Sequence, residues 1–300
     1  MATTTPMPLL STHARDRPRL VALALAAVYL IWGSTYLALK WMVEGLPPLL
    51  SAGLRYLLAG AVLFAFCRVR GASAPTARQW LASVPAGLGL FLVGNGFVTL
   101  AQRDVSSSFS AIVCASMPLL LAVFNRVGGD RLARLEAVGL LVGFAGVVVM
   151  TTRELGAAPA SASLILLAPV GWSLGTIAAR RLAQAPGLLG ASLQMLAGGA
   201  AILVCGALSG ESLPSGQVPA ASIAAFFYLV VAGSLVAFSA YSYLLSNTRP
   251  SIATSYAYVN PVVAVGLGAM LGGETLSGRA LAGGALVVLG VLLVVRARAR

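Results

Sequence analysis

The sequence has 300 residues, of which 59% are hydrophobic and only 9% are charged, and its mean hydropathy is +0.92. Soluble domains carry roughly 25% charged residues, so this chain cannot cover a water-facing surface and is predicted to be a multi-pass membrane protein. The net charge of +12 does not indicate nucleic acid, because the arginines stand singly or in small groups between apolar runs, where they suit anionic lipid.

Ten apolar segments follow one another with short connections, each close to the roughly 20 residues that span a bilayer. They predict membrane helices at 20–42, 47–67, 79–102, 106–126, 134–152, 161–182, 187–208, 220–246, 251–272 and 279–296. The expected fold is an all-α integral membrane protein. Its predicted parts are an N-terminal tail (1–18), a first five-helix repeat (19–152), a connecting loop (153–160), a second five-helix repeat (161–296) and a C-terminal tail (297–300).

The two halves resemble each other about 140 positions apart. Trp32 recurs as Trp172, and Pro118 recurs as Pro261. Because five helices is an odd number, the second half must enter the membrane in the opposite orientation. The sequence therefore predicts two inverted repeats around a central cavity, an architecture typical of secondary transporters.

The distribution of basic residues predicts the orientation. If the N-terminus is cytoplasmic, 15 of the 20 Lys and Arg residues lie on the cytoplasmic side and four lie outside. Cytoplasmic loops carry an excess of Lys and Arg, so both termini are predicted to be cytoplasmic.

Polar and aromatic groups at mid-membrane depth indicate where the cavity lies, because polar groups facing lipid are costly. The candidate substrate-binding residues are Trp32, Thr35, Asn95, Thr99, Gln102, Met117, Trp172, Thr176, Ser242, Tyr243, Tyr256 and Asn260. A structural alternative stands beside each of them, since tryptophans also pack in cores and hydroxyls also bond to their own helix backbone.

Pro118 and Pro261 are predicted to break the fourth and ninth helices. Each removes a backbone hydrogen bond and frees a carbonyl, and breaks at matching points of two halves indicate a midplane site. The alternative is a kink that only shapes the bundle.

Arg55 lies inside the second apolar segment, and its counterpart in the second half is the neutral Gln194. It could snorkel to the membrane surface, pair with a carbonyl group, or hold a substrate carboxylate. Structural pairing is the preferred interpretation.

Glycines line one face of the fifth helix, at Gly139, Gly143 and Gly146, and a small-residue pair, Ala280 and Gly284, lies on the tenth. Such faces predict close packing between helices in lipid, with a dimer contact as a secondary role.

Several kinds of chemistry lack the residues that they require. No Asp or Glu lies in the middle of a predicted helix, and the only histidine, His13, lies in the N-terminal tail. The sequence has no metal-binding spacing among its three cysteines and no phosphate-binding loop, so no metal, cofactor or ATP drive is expected. This pattern favours facilitated diffusion or exchange over proton coupling, and it does not indicate an enzyme.

Three stretches carry a family resemblance: YLIWGSTYLALKW…LPPLLSAGLRYLLAG, MPLLLAVFNRVGGDRL and VNPVVAVGLGAMLGGETL. Over residues 20–296 the chain resembles the EamA family of the drug/metabolite transporter superfamily. The resemblance implies a ten-helix inverted-repeat carrier of the bacterial inner membrane, with a cavity walled by helices 1, 3, 4, 6, 8 and 9. It also implies export of amino acids or other metabolites, the aromatic amino-acid exporters being the nearest type. The acidic residue that the family places after the fourth and ninth helices is Asp130 in the first half, where Glu is more frequent, and Glu274 in the second.

The predicted function is export of small metabolites, preferably amino acids, by alternating access through a midplane cavity. The expected partners are a small-molecule substrate and membrane lipid, and the protein is expected to be a monomer or a weak homodimer. The alternatives are a sugar-nucleotide or drug carrier of the same superfamily, a channel, or an integral-membrane lipid enzyme.

Overall fold

A computed structural model describes residues 18–127, 133–154, 159–248, 252, 255–275 and 277–299. Within these ranges it contains ten long helices and no β-strand. In chain order, α1 to α10 are Pro18–Gly45, Pro48–Val69, Ala77–Ala101, Ser107–Val127, Arg134–Glu154, Ala162–Arg181, Gly187–Leu208, Ala220–Leu244, Tyr256–Leu271 and Gly278–Ala299.

Eight of these helices are long and apolar enough to cross a membrane, namely α1 to α4, α6 to α8 and α10. The apolar stretch of α9, Val259–Leu271, is shorter than these eight helices. The chain is thus an all-helical integral membrane protein over its described residues, and the crossing of the membrane by all ten helices stays a prediction.

Local sequence signals explain several of the helix starts. At α3, the Thr76 hydroxyl accepts from the Gln79 N–H, and the Gln79 side chain accepts from the Thr76 N–H, so two backbone donors are satisfied by a capping box. At α2, Pro48 occupies the first turn, where its missing N–H costs nothing.

Two of the most extensive helix interfaces join equivalent helices of the two halves, α2 with α7 and α5 with α10. Glycines permit the close approach at the second of these interfaces. A Cβ at Gly146 would lie 2.6 Å from the Gly283 carbonyl oxygen, and one at Gly290 would lie 2.5 Å from the Gly143 Cα. The glycine face of α5 is therefore used for packing within the chain.

The remaining helices pack around the centre in matching sets. α1 packs against α8 and α9, α6 packs against α3 and α4, and α4 packs against α9. Each half thus contributes three helices to the centre of the molecule. Whether the halves have opposite orientations in a membrane stays a prediction.

Irregular backbone is concentrated in these central helices. π-helical turns occupy Val28–Trp32 in α1, Leu88–Gly96 in α3 and Leu229–Val236 in α8. α4 is interrupted by a turn at Ala115 and Ser116, just before Pro118. Such interruptions often mark functional positions in helices.

The ninth helix differs from the expectation at its proline, because Tyr256–Leu271 continues through Pro261 without a break. Pro261 lies near the start of this helix, so only the carbonyl of Ala257, four residues earlier, loses its usual partner. The symmetry of the two predicted breaks does not extend to the described part of α9.

Candidate substrate cavity

A cavity of about 80 Å³ lies among the central helices and draws its walls from both halves of the chain. Its lining residues are Trp32, Thr35, Tyr36, Leu39, Arg55, Tyr56, Gly94, Asn95, Val98, Cys114, Met117, Ala168, Pro169, Trp172, Phe238, Tyr256 and Asn260. A volume of this size has room for several water molecules.

Seven of the twelve candidate residues meet at this cavity. They are Trp32, Thr35, Asn95, Met117, Trp172, Tyr256 and Asn260. The structure brings them together from five different helices, and their role in binding a substrate stays a prediction.

The other five candidate residues, Thr99, Gln102, Thr176, Ser242 and Tyr243, lie outside the cavity lining. Two of them satisfy their own helix backbone, as the structural alternative predicts: Thr99 donates to the Asn95 carbonyl and Thr176 to the Trp172 carbonyl, each at 2.8 Å. The Gln102 side chain is fully buried, and neither of its amide atoms has a hydrogen-bond partner among the described residues.

Trp32 is the centre of an aromatic cluster at the cavity. Its ring centroid lies 4.9 Å from that of Tyr256, 5.2 Å from those of Phe238 and Tyr241, and 6.4 Å from that of Trp172. Its indole N–H donates to the Gly233 carbonyl at 3.1 Å, inside the π-helical turns of α8. The Trp32 side chain thus both packs in the core and forms part of the cavity wall.

Trp172 has a matching position in the other half. A Cβ at Gly94 would lie 3.2 Å from the Trp172 ring, so Trp172 lies against the π-helical turns of α3 much as Trp32 lies against those of α8. In the same turns, the Asn95 amide donates to the Leu90 carbonyl at 2.8 Å. This bond satisfies a carbonyl five residues earlier and leaves the Asn95 oxygen able to accept a hydrogen bond at the cavity.

The interruption of α4 shapes another part of the wall. Cys114 and Met117, on either side of the turn, both line the cavity. The Ser173 hydroxyl of α6 lies 3.2 Å from the Met117 carbonyl, but its one proton has a shorter bond to the Pro169 carbonyl of its own helix, at 2.7 Å. A side chain of the other half therefore lies beside the break.

Four aromatic or thiol side chains of the lining were not predicted from the sequence as site residues: Tyr36, Tyr56, Cys114 and Phe238. The repeat pointed to Phe238, because Phe238 aligns with Asn95, a predicted site residue. The cavity is thus polar at one of these equivalent positions and aromatic at the other.

Arg55 also reaches the cavity, although its side chain is only 3% exposed. Its Nε donates to the Ser234 hydroxyl at 2.9 Å, and its guanidinium lies 4.6 Å from the centre of the Tyr56 ring. Structural pairing, the interpretation preferred from the sequence, therefore accounts for the Nε side of the Arg55 guanidinium.

Glu274 joins the loop after α9 to the beginning of α4. Its carboxylate accepts hydrogen bonds from the backbone N–H groups of Ser107 and Ser108 and from the Ser108 hydroxyl, at 2.6 to 3.1 Å. Burial alone would raise the pKa of this carboxyl, but the hydrogen bonds from Ser108 and Ser107 together outweigh burial and hold the pKa below its usual range. Asp130, its counterpart in the first half, lies outside the described residues.

A second carboxylate makes a comparable contact. Glu211, between α7 and α8, accepts from the backbone N–H groups of Leu49 and Leu50 at the start of α2, and lies 3.9 Å from Arg103. Both carboxylates thus bind the positive N-terminal end of a first-half helix from a second-half loop. Within the described ranges, no three His, Cys, Asp or Glu side chains come together as a metal site would require.

The family of the chain follows from its sequence relatives. The sequence model of the EamA-like transporter family matches this chain twice, over residues 19–152 and 160–296. The chain belongs to this family. The two matches also establish that the EamA chain consists of two repeats.

Individual relatives agree with this assignment. The chain is 42% identical to the protein of Escherichia coli K12 named "Uncharacterized inner membrane transporter YedA", over 85% of this chain and 83% of that one. It is 24% identical to the protein of Bacillus subtilis named "Uncharacterized transporter YvbV", over 91% of this chain and 90% of the relative.

The fold also matches a solved structure. One crystal structure superposes with a TM-score of 0.64 at 22% identity, covering 93% of this chain and 98% of the other. At this identity the match shows the fold alone.

Proposed function

We propose that this EamA-family chain is a secondary transporter of the inner membrane that exports small metabolites, preferably amino acids, by alternating access. The observation that carries the proposal is the central cavity, whose walls come from both repeats. A site between two repeats is what a carrier needs if it exposes the site to each side in turn. The names of YedA and YvbV support transport as the activity.

The lining suits a molecule with one apolar part and one polar end. Trp32, Trp172 and Tyr256 offer flat apolar faces, which we assign to the apolar part of the substrate. Asn95 and Asn260 offer amides, and the Asn260 oxygen is buried with no hydrogen-bond partner among the described residues. We assign these amides to the polar end of the substrate.

If both termini are cytoplasmic, the contacts at the helix ends support alternating access. On that topology, the start of α2, the start of α4, and the loops carrying Glu211 and Glu274 all face the outside. The two carboxylate contacts then close the outer side of the cavity, with a third contact from Lys40 to the backbone carbonyls of Gln102 and Val105, at 3.0 and 3.3 Å. Release of substrate to the outside would require these contacts to separate.

The test is flux by the purified protein in liposomes, with a panel of labelled amino acids, a nucleotide sugar and a cationic drug. We expect saturable flux of at least one amino acid above that of empty vesicles. Flux of the nucleotide sugar or the drug alone would replace the amino-acid substrate with that class. No flux for any compound would contradict the proposal.

A further inference from the structure

Among the described residues that line the cavity, Arg55 is the one charged side chain. Arginine stays protonated at any physiological pH, so this residue brings a full positive charge to a buried site. None of the described lining residues is acidic, and no carboxylate lies within ion-pair distance of Arg55 among the described residues.

The contacts of Arg55 compensate that charge only in part. The Ser234 hydroxyl accepts from Nε, and the Tyr56 ring offers its face to the guanidinium. The two terminal Nη groups have no hydrogen-bond partner among the described residues. A buried cation with unused donors is costly unless an anion or further acceptors reach it.

The geometry leaves the Nη edge available to a ligand. The Nε bond to Ser234 fixes the plane of the guanidinium, and the neighbouring Gly233 leaves room for it, since a Cβ at that position would lie 3.1 Å from one Nη atom. A planar fork held in this way matches the two oxygens of a carboxylate.

The rest of the lining matches the other parts of a carboxylate ligand. Trp32, Trp172 and Phe238 form an apolar wall, and the unpaired Asn260 oxygen accepts a hydrogen bond from a donor such as an ammonium group. We propose that Arg55 binds the carboxylate of the transported molecule, so that the cavity takes aromatic or large apolar carboxylates, amino acids included, and disfavours molecules whose only charge is positive. This inference rests on the proposed function and specifies its substrate.

The first test compares three probes of similar size on the purified wild-type protein in detergent: phenylalanine, 3-phenylpropionate and phenethylamine. Binding is followed by the shift in thermal unfolding and by tryptophan fluorescence. We expect phenylalanine and 3-phenylpropionate to bind at least about tenfold more tightly than phenethylamine, because only they carry a carboxylate. Equal or tighter binding of phenethylamine would overturn the inference without any variant being made.

The second test uses Arg55→Gln, Arg55→Lys and the control Arg70→Gln. Arg70 follows the same helix and its guanidinium also lies near an aromatic ring, 5.5 Å from the centre of Phe66, but it is exposed and does not line the cavity. We expect Arg55→Gln to weaken binding of 3-phenylpropionate by about 10- to 100-fold, Arg55→Lys to weaken it less, and Arg70→Gln to leave it unchanged.

Liposome flux separates this inference from the proposed function. Selective binding of the carboxylates that disappears in Arg55→Gln, without flux of any probe, would support the carboxylate site and contradict transport. Flux of the carboxylates that Arg55→Gln leaves unchanged would support transport and overturn the role of Arg55. If Arg55→Gln does not fold, the wild-type comparison of the three probes decides.

Discussion

The two tryptophans at the cavity should differ in what their removal does, although they occupy equivalent positions in the repeats. Trp32 is 7% exposed and packs against four aromatic rings. Trp32→Ala loses these ring contacts and also leaves the Gly233 carbonyl without its N–H donor. Truncations of large buried aromatic side chains cost about 3–5 kcal/mol, a large part of the stability of most proteins.

Trp172 is only partly buried, and its ring centroid lies 6.4 Å from that of Trp32. Trp172→Ala should therefore cost about 1–2 kcal/mol, in line with the loss of one aromatic pair and some packing. Its main effect should be on flux, because the ring forms part of the cavity wall.

The assay measures the apparent melting temperature in detergent and the amino-acid flux in liposomes for the same preparations. Trp80→Ala is the control, since Trp80 is 38% exposed, packs near Phe64 and does not line the cavity. We expect Trp32→Ala to lower the melting temperature most, Trp172→Ala to lose flux while staying folded, and Trp80→Ala to retain both. A Trp172→Ala protein with normal flux, or a Trp32→Ala protein as stable as the control, would refute this reasoning.

Three further predictions concern packing, the loop contact and the cavity thiol. Gly290→Ala should lower stability by about 1–3 kcal/mol because the new Cβ meets the α5 backbone at 2.5 Å, whereas Gly266→Ala, with nothing within 4 Å, should be neutral in the same melting assay. Glu274→Gln should lower stability by about 1 kcal/mol at pH 7 through weaker bonds to Ser108. Because the folded pKa of Glu274 is lowered, its contribution to folding stability is present above the ordinary carboxyl pKa of about 4 and is lost as the pH falls through the folded pKa. Between about pH 7 and pH 3, the melting temperature of the wild type should therefore fall more steeply than that of Glu274→Gln. Cys114, which lines the cavity, should be protected from a membrane-permeant thiol reagent by bound substrate, and unchanged labelling at saturating substrate would count against the site.

Much of the fold could be predicted because membrane helices are encoded locally, by the length of apolar segments and by residues such as Thr76 and Pro48 at their starts. The repeat also located Trp32 and Trp172 at the centre of the molecule. These features depend on spacing along one chain, which the sequence records directly.

The rest of the site depends on which face of each helix turns inward. Asn95 and Thr99 share a helical face in the sequence, yet only Asn95 reaches the cavity, while the Thr99 hydroxyl donates to the Asn95 backbone carbonyl. The role of Arg55 was open for the same reason, because its contact with Ser234 lies 179 positions away along the chain. Such contacts follow from tertiary packing and leave no local pattern.

The central claim is that substrate crosses the membrane in the cavity between the two repeats, and that this cavity opens to only one side of the membrane at a time. Counterflow tests it most directly: liposomes containing the purified protein are loaded with unlabelled amino acid, and the entry of the same labelled amino acid is followed. We predict a transient accumulation of label above its equilibrium level, abolished by Trp172→Ala and retained by Trp80→Ala. Entry of label only to equilibrium, at a rate that does not saturate, would indicate a channel and contradict the account.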